Sequence, residues 1–298
     1  MRGFDAILIA TGASALVPGP LRRGGGDFFL MRTLNDAQRL RRRLEQGGVK
    51  RAVVVGGSMV GIKVAELLYR RGVEVTLADG APYLFPLAAY ESTAHAIQQR
   101  LEERGLDLIF RAQVSAVTPK GVTLADGRTL EADLVCLCIG TRANVELVAN
   151  TQVLEGENVQ IERGIVVDEG MRTNVPGIYA AGDCCEGVNL QTGKTAVIGL
   201  WANAGAQGDC AGRNMAGQFC RYYGNILHNI THFFDMDFNH LDFRGGHPNA
   251  IKPVLKPAGF EHMKDLARKL SQGIPHVRVD FYDIDGHVYF GELTFFHW

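Results

Sequence analysis

RAVVVGGSMVGIKVAELLYRRGVEVTLAD, residues 51–79, decides the fold. It opens on an unbroken valine run, the pattern of a strand buried on both faces of a parallel sheet. Gly56 and Gly57 break that run. Residues 59–72 then carry apolar side chains at helical spacing and stop at a glycine, and residues 73–79 return as a second strand ending on Asp79. Strand, glycine turn, helix, strand and acid, in that order, are the parts of a dinucleotide-binding βαβ unit. Gly56 makes the tight turn, and Gly61 lets the helix pack on the strand. Ser58 takes the second glycine's place, where a small side chain admits the pyrophosphate and a hydroxyl can bond it. The helix start, Ser58-Met59-Val60-Gly61, offers free N–H groups and the positive end of the helix dipole. Asp79 stands where a carboxylate accepts from both ribose hydroxyls and repels a 2′-phosphate, which favours NAD over NADP.

Upstream, residues 4–10 read as an apolar strand closed by Thr11-Gly12, and 16–30 as a connector rich in Gly and Pro. Residues 34–47 have helical spacing, with Asn35 or Asp36 as the cap and Gly47-Gly48 as the stop. Downstream, the pattern predicts a helix near 88–104, strands at 107–111 and 112–118, and a hairpin at Asp126-Gly127. Residues 133–140 are a buried strand ending at Gly140. Residues 165–183 read as a strand, a turn at Pro176-Gly177, and a strand ending at Gly182-Asp183. Small residues at helical spacing mark a helix over 201–217. Beyond about 235, His, Phe and Asp become frequent and Pro248, Pro253 and Pro257 interrupt the chain. A helix (260–272) and two strands (276–283 and 287–296) around Asp285-Gly286 make a small α+β segment.

In 298 residues, 31 Lys and Arg stand against 32 Asp and Glu, a net charge of −1 without a basic face for nucleic acid. No apolar run reaches the roughly 18 residues of a membrane span, so no membrane partner is expected. The six cysteines show no disulfide framework, which points to reduced thiols and a cytoplasmic setting. Cys184-Cys185 reads as buried thiols before a vicinal redox pair, since adjacent cysteines bridge poorly. His228 and His232, at i,i+4 spacing without a third ligand, read as a surface pair before a metal site.

Four stretches together resemble the two-dinucleotide flavoprotein reductases, the pyridine nucleotide-disulfide oxidoreductases, and especially their NADH-dependent branch. They are ILIATGAS (7–14), VVVGGSMVGIKVAELL (53–68), CIGTRAN (138–144) and TNVPGIYAAGDC (173–184). The resemblance covers residues 4–233 and implies a doubly wound α/β fold, with a Rossmann-type NAD domain (46–145) inserted in a partial FAD-binding domain. A strand and linker (1–45) and a returning segment (146–233) form the FAD part. On that reading Asp183 accepts from the ribityl chain of FAD, and Gly182 lets the flavin phosphates near the backbone. Thr11 and Gly12 close the FAD crevice, and Gly140 lies beside the nicotinamide. The implied activity is FAD-dependent NADH oxidation: hydride passes to the flavin and on to an unknown acceptor. The family places its FAD pyrophosphate fingerprint and redox cysteine in roughly a hundred residues before the ATG turn, the size of one Rossmann half. Here Met1 stands three residues before FDAILIATG, so the reading expects a truncated enzyme, or one subunit completed by a separate FAD-half subunit. Lys63 stands where many relatives carry Glu. The alternatives are a non-catalytic NAD-binding remnant and an ATP-grasp ligase fragment.

The second alternative comes from the tail. VRVDFY (277–282) and YFGELTF (289–295) resemble the C-terminal part of ATP-grasp proteins linked to surface-polysaccharide synthesis, over about residues 236–298, within a C-terminal segment taken as 234–298. That resemblance makes Asp280 and Glu292 metal ligands of a Mg²⁺-ATP site. A hairpin salt-bridged through Arg278 accounts for the same residues.

Overall fold

The computed structural model describes residues 3–86, 89–151, 158–190, 192–225, 234, 256–272, 278–284 and 286–294. The chain divides into two compact units. One comprises Met1–Leu227 with Asp242–Gly246, and the other His228–Leu241 with His247–Trp298.

In the first unit the chain runs through β1 (Ile7–Ile9), β2 (Ala13–Ala15), the short α1 (Gly19–Arg23) and α2 (Leu34–Glu45). The cap of α2 is Thr33, not Asn35 or Asp36. The Thr33 hydroxyl accepts from the Asp36 amide at 3.2 Å, and the Asp36 carboxylate accepts from the Thr33 amide at 2.8 Å. Asp36 thus acts as the third helical residue of a capping box, its backbone already helical.

The sequence 51–79 folds as β3 (Arg51–Val55), α3 (Met59–Tyr69) and β4 (Glu74–Ala78), followed by α4 (Glu91–Glu102) and β5 (Asp107–Ile109). An antiparallel meander, β6 (Val114–Thr118), β7 (Gly121–Leu124) and β8 (Thr129–Glu131), leads into β9 (Leu134–Leu137). The sheet order β5-β4-β3-β9 is parallel throughout, with Val53 opposite Thr76 on one side and Val135 on the other. Side chains alternate across it. Val53, Val55, Val135 and Leu137 join Val117, Val122 and Leu124 of the meander in one core cluster. The alternate residues turn to the face where α3 packs, and there Val54 and Ile62 are fully buried. This is the mixed α/β, Rossmann-type core that residues 51–79 call for.

The connector at 16–30 is more ordered than its composition suggests. Phe29 pairs with Cys136: its N–H reaches Val135 O, and its carbonyl accepts from Leu137 N–H, both at 2.8 Å. Gly24 and Gly26 cross β6 so closely that a Cβ would lie 2.0 Å from Val117 O and 2.3 Å from Thr118 O. The glycines permit a close crossing rather than a loose linker.

After β10 (Thr141–Ala143), antiparallel to β2, comes α5 (Glu146–Ala149). The strand expected from residue 165 does not form. Ile165 makes isolated bridges to Ile161 and Cys185, and the chain then bends because the Asp168 carboxylate captures the Gly170 and Arg172 amides, each at 2.8 Å. β11 (Ile178–Ala180) pairs in parallel with β1. A hairpin unforeseen in the sequence, β12 (Gly187–Asn189) and β13 (Lys194–Ala196), precedes α6 (Trp201–Met215).

The second unit contains α7 (Phe260–Leu270) and the antiparallel pair β14 (Arg278–Ile284) and β15 (His287–Thr294). Phe281 and Phe290 meet edge to face across it, and Gly259 N–H at the start of α7 bonds the Asp283 carboxylate at 2.7 Å. His228 and His232 lie outside the described residues. Among those residues no helix is long and apolar enough to cross a membrane, and no three His, Cys, Asp or Glu gather around a metal position.

Candidate functional site

Parallel strands deliver their loops to one edge, and a cleft of about 430 Å³ opens at the carboxyl ends of β3, β4 and β9. Its lining includes Gly56, Ser58, Asp79 and Gly140. Gly56 has φ +105°, and a Cβ there would sit 2.4 Å from Cys138 O. At Gly61 a Cβ would lie 1.8 Å from Gly56 O, so the third fingerprint glycine is what lets α3 approach its own turn. Gly57 faces the acid: a Cβ would come within 3.0 Å of Asp79 Oδ2.

Ser58 is the N-cap of α3. Its Oγ accepts from Gly61 N–H at 3.3 Å and directs its hydrogen to Cys138 O at 3.2 Å. With that hydrogen engaged, the donors left for an anion are the Met59 and Val60 amides, the first two of α3, which have no carbonyl behind them. Asp79, half-buried, directly follows β4. Oδ2 accepts from Gly57 N–H, and Oδ1 from Ala81 N–H at 2.7 Å. Each oxygen keeps a lone pair for a further donor, as a vicinal diol would supply. Gly140 forms the far wall with φ +100°, and its carbonyl accepts from Leu16 N–H at 2.9 Å. Burial pushes the nearby Cys138 thiol up to about 12, so it lines the cleft as a neutral group. Lys63 is engaged elsewhere, on the buried Glu66 carboxylate, which Arg70 also holds; both contacts are 2.8 Å.

The other predicted residues gather where β1 and β11 end together. Ala181 N–H reaches Ile9 O at 3.0 Å, so the Thr11-Gly12 and Gly182-Asp183 loops leave the sheet at the same edge. Asn144 stitches the first loop: its amide donates to Thr11 O at 2.8 Å, and its carbonyl oxygens accept from Thr11 Oγ1 and Ser14 Oγ. Gly12 and Gly182 take positive φ, +69° and +82°. The Gly182 amide donates to Gln207 on α6 at 2.9 Å, so left-handed backbone is the reason for glycine there. Asp183 forms an ion pair with Arg32, whose Nε also donates to Ala13 O. Gly199, before α6, lies beside the Asp183 carboxylate.

Arg32, Asn144 and Gln207 are the site residues that sequence reasoning missed. Asn144 closes the quoted CIGTRAN stretch, and Arg32 immediately precedes the cap of α2. Gln207 belongs to a buried amide stripe, Asn203, Gln207 and Asn214, whose helical spacing was the available signal. Cys184 and Cys185 are buried, with their sulfurs against different carbonyls, Ile9 and Gly182. In the second unit Asp280 falls at the irregular register between Val279/Leu293 and Phe281/Phe290, with Gly291 and Glu292 opposite in the chain. The Glu292 side chain lies outside the described residues.

Two family profiles match the chain: pyridine nucleotide-disulphide oxidoreductase over residues 2–208, and TupA-like ATPgrasp over residues 226–298. A NADH oxidase of Methanocaldococcus jannaschii is 28% identical over 237 residues, which are 78% of this chain and 52% of that protein. The structure of a NAD-dependent persulfide reductase from A. fulgidus is similar with a TM-score of 0.69 at 28% identity, over 78% of this chain and 43% of that one. The water-forming NADH oxidase of Lactobacillus brevis, bound to NADH, matches with a TM-score of 0.65 at 28% identity, over 75% and 49%. The chain spans about half the length, or less, of the curated relatives it matches.

Proposed function

Because the chain belongs to the pyridine nucleotide-disulphide oxidoreductase family, we propose that it serves an NADH-dependent flavoprotein oxidoreductase, taking NADH in the Asp79 cleft and passing electrons through FAD to an acceptor. The observation that carries this reading is the Asp79 carboxylate, anchored by Gly57 and Ala81 amides at the lip of the glycine turn. The cleft residues fit NAD: glycines that no Cβ could replace, two free helix amides for a diphosphate, and a diol acceptor that repels a third phosphate. Arg32 and Asp183 fit a polar ligand chain: one presents donors, the other acceptors, and each can turn from its partner to a hydroxyl or a phosphate. FAD, when bound, supplies the hydride and electron chemistry. The protein's part is orientation. Gly140 leaves the nicotinamide end of the cleft without a side chain, Thr11 and Asn144 hold the crossover turn, and Gln207 fixes the loop that carries Asp183.

Among the described residues there is one strand–glycine turn–helix fingerprint, and it faces the Asp79 cleft. The FAD diphosphate therefore calls for a further polypeptide segment or a partner subunit. A second reading, an NAD-binding unit without flavin chemistry, rests on the Arg32 and Asp183 charges already satisfying each other within the chain. The test is NADH titration of the purified chain, alongside NADH oxidation with ferricyanide as acceptor by the chain supplied with FAD and the FAD-binding half of a relative. The first reading expects NADH binding and flavin-dependent turnover that Asp183→Ala weakens. NADH binding with no flavin-dependent turnover selects the second reading, and no NADH binding removes both.

A further inference from the structure

We propose that Cys210 and Cys220 are a dithiol switch: small disulfides oxidise them to an intramolecular disulfide that ties α6 to the segment following it. Three contacts bring the two residues together. Asn214, one turn below Cys210, clamps the Cys220 backbone, donating to Cys220 O at 2.7 Å and accepting from Cys220 N–H at 3.1 Å. The same Asn214 amide nitrogen lies 3.5 Å from Cys210 Sγ. The Glu169 carbonyl accepts from Tyr222 N–H at 2.7 Å and faces Cys210 Sγ at 3.7 Å. Cys210 is buried in the cluster of Met171, Tyr179 and Ala211, and Cys220 packs against that cluster. The two thiols also bond each other directly, so their sulfurs are neighbours, the arrangement from which a disulfide can close.

The two thiols differ in access. Cys220 is half-buried and lines a cleft of about 540 Å³ with Phe219, Arg221 and Tyr222. Cys210 is 2% exposed, and burial followed by its bond with Cys220 pushes its thiol up to about 11. Cys220 is therefore the residue that an incoming disulfide meets. Its thiol gives up a proton and its sulfur attacks glutathione disulfide, breaking that S–S bond and releasing one glutathione, which takes the proton. The mixed disulfide on Cys220 is then attacked by the Cys210 sulfur. This forms the Cys210–Cys220 bond, and the second glutathione leaves with the Cys210 proton. Two protein thiols are oxidised and one glutathione disulfide is reduced to two thiols. The product holds residues 218–222, one wall of the cleft, against α6. The other four cysteines take no part: Cys136, Cys138, Cys184 and Cys185 are buried in other clusters or strands.

The experiment treats the full chain with glutathione disulfide, blocks remaining thiols with iodoacetamide after denaturation, and maps peptides without reduction. The expected result is a Cys210–Cys220 cross-linked peptide lighter by two hydrogens, reversed by dithiothreitol, with the other four cysteines alkylated. In Cys210→Ser the glutathione should remain on Cys220, and in Cys220→Ser neither residue should acquire it. The unaltered chain gives its answer even where a variant folds poorly. A stable glutathione adduct on Cys220 in the unaltered chain, a different pairing, or six free thiols would each overturn the proposal.

Discussion

Asp79 ties local geometry to nucleotide choice, and its two bonds to Gly57 and Ala81 separate the effects of substitution. Asp79→Ser removes the charged acceptor, so NADH affinity should fall about 10- to 100-fold, the value of one charged hydrogen bond, and the preference over NADPH should narrow. Titration of both cofactors reads this directly, and an unchanged preference would contradict the role. Asp79→Asn keeps one acceptor, for Gly57 N–H, but sets its NH2 against Ala81 N–H, so it should narrow the preference and cost about 1–3 kcal/mol of stability. At Gly61 the limit is steric. Gly61→Ala places a methyl 1.8 Å from Gly56 O and should cost about 3 kcal/mol or more in urea unfolding. Thiols give the pH dependence. Burial raises Cys138 to about 12, and Cys136 is raised further by burial and by Cys138. A thiol raised in the folded state stays protonated there while the unfolded chain ionises. Its contribution is thus complete below the free-thiol value of about 8.5 and is lost as pH rises, by about 1.4 kcal/mol per unit. Stability should decline between about pH 9 and 11, and less steeply in Cys138→Ala; a flat profile would count against the burial argument.

Among the elements, α2 shows how a local signal was visible but misassigned. Asp36 does belong to the helix start, yet the cap is the threonine three residues earlier, because Thr33 keeps extended backbone while Asp36 already turns. Thr33→Ala removes one arm of the capping box and should cost about 1 kcal/mol, a melting-temperature fall of about 2–4 °C in a unit of this size. Differential scanning calorimetry measures it, and no shift would mean that α2 is held by its buried Leu40 alone. The missing strand at 165–168 has the opposite cause. The apolar run Ile165-Val166-Val167 is real, and Ile165 is fully buried, but Asp168 captures the Gly170 and Arg172 amides and turns the chain before a ladder can extend. On α6 the small residues and the amide spacing of Asn203, Gln207 and Asn214 are local, but the bond from Gly182 N–H to Gln207 forms only once the helix is docked.

At the scale of the whole molecule the tail is the test of how far a resemblance carries. A divalent ion with triphosphate needs about six oxygen ligands, and β14 and β15 contribute the two carboxylate positions Asp280 and Glu292. Calorimetry of the full chain with Mg²⁺-ATP tests the resemblance: tight binding abolished by Glu292→Gln would support the ligase reading, and no saturable heat would count against it. The first unit divides more clearly between what was written locally and what was not. Residues 51–79 determined the parallel core, the glycine turn and the acid by themselves, because each part is an adjacent choice of backbone freedom, periodicity or charge within one βαβ unit. The second polar centre was decided by tertiary structure. Arg32 meets Asp183 across 151 positions, Asn144 meets Thr11 across 133, and Phe29 joins the sheet beside Cys136. No local pattern encodes such pairs. They exist because β1 and β11 leave their ladder at one edge and bring distant donors and acceptors close enough to bond.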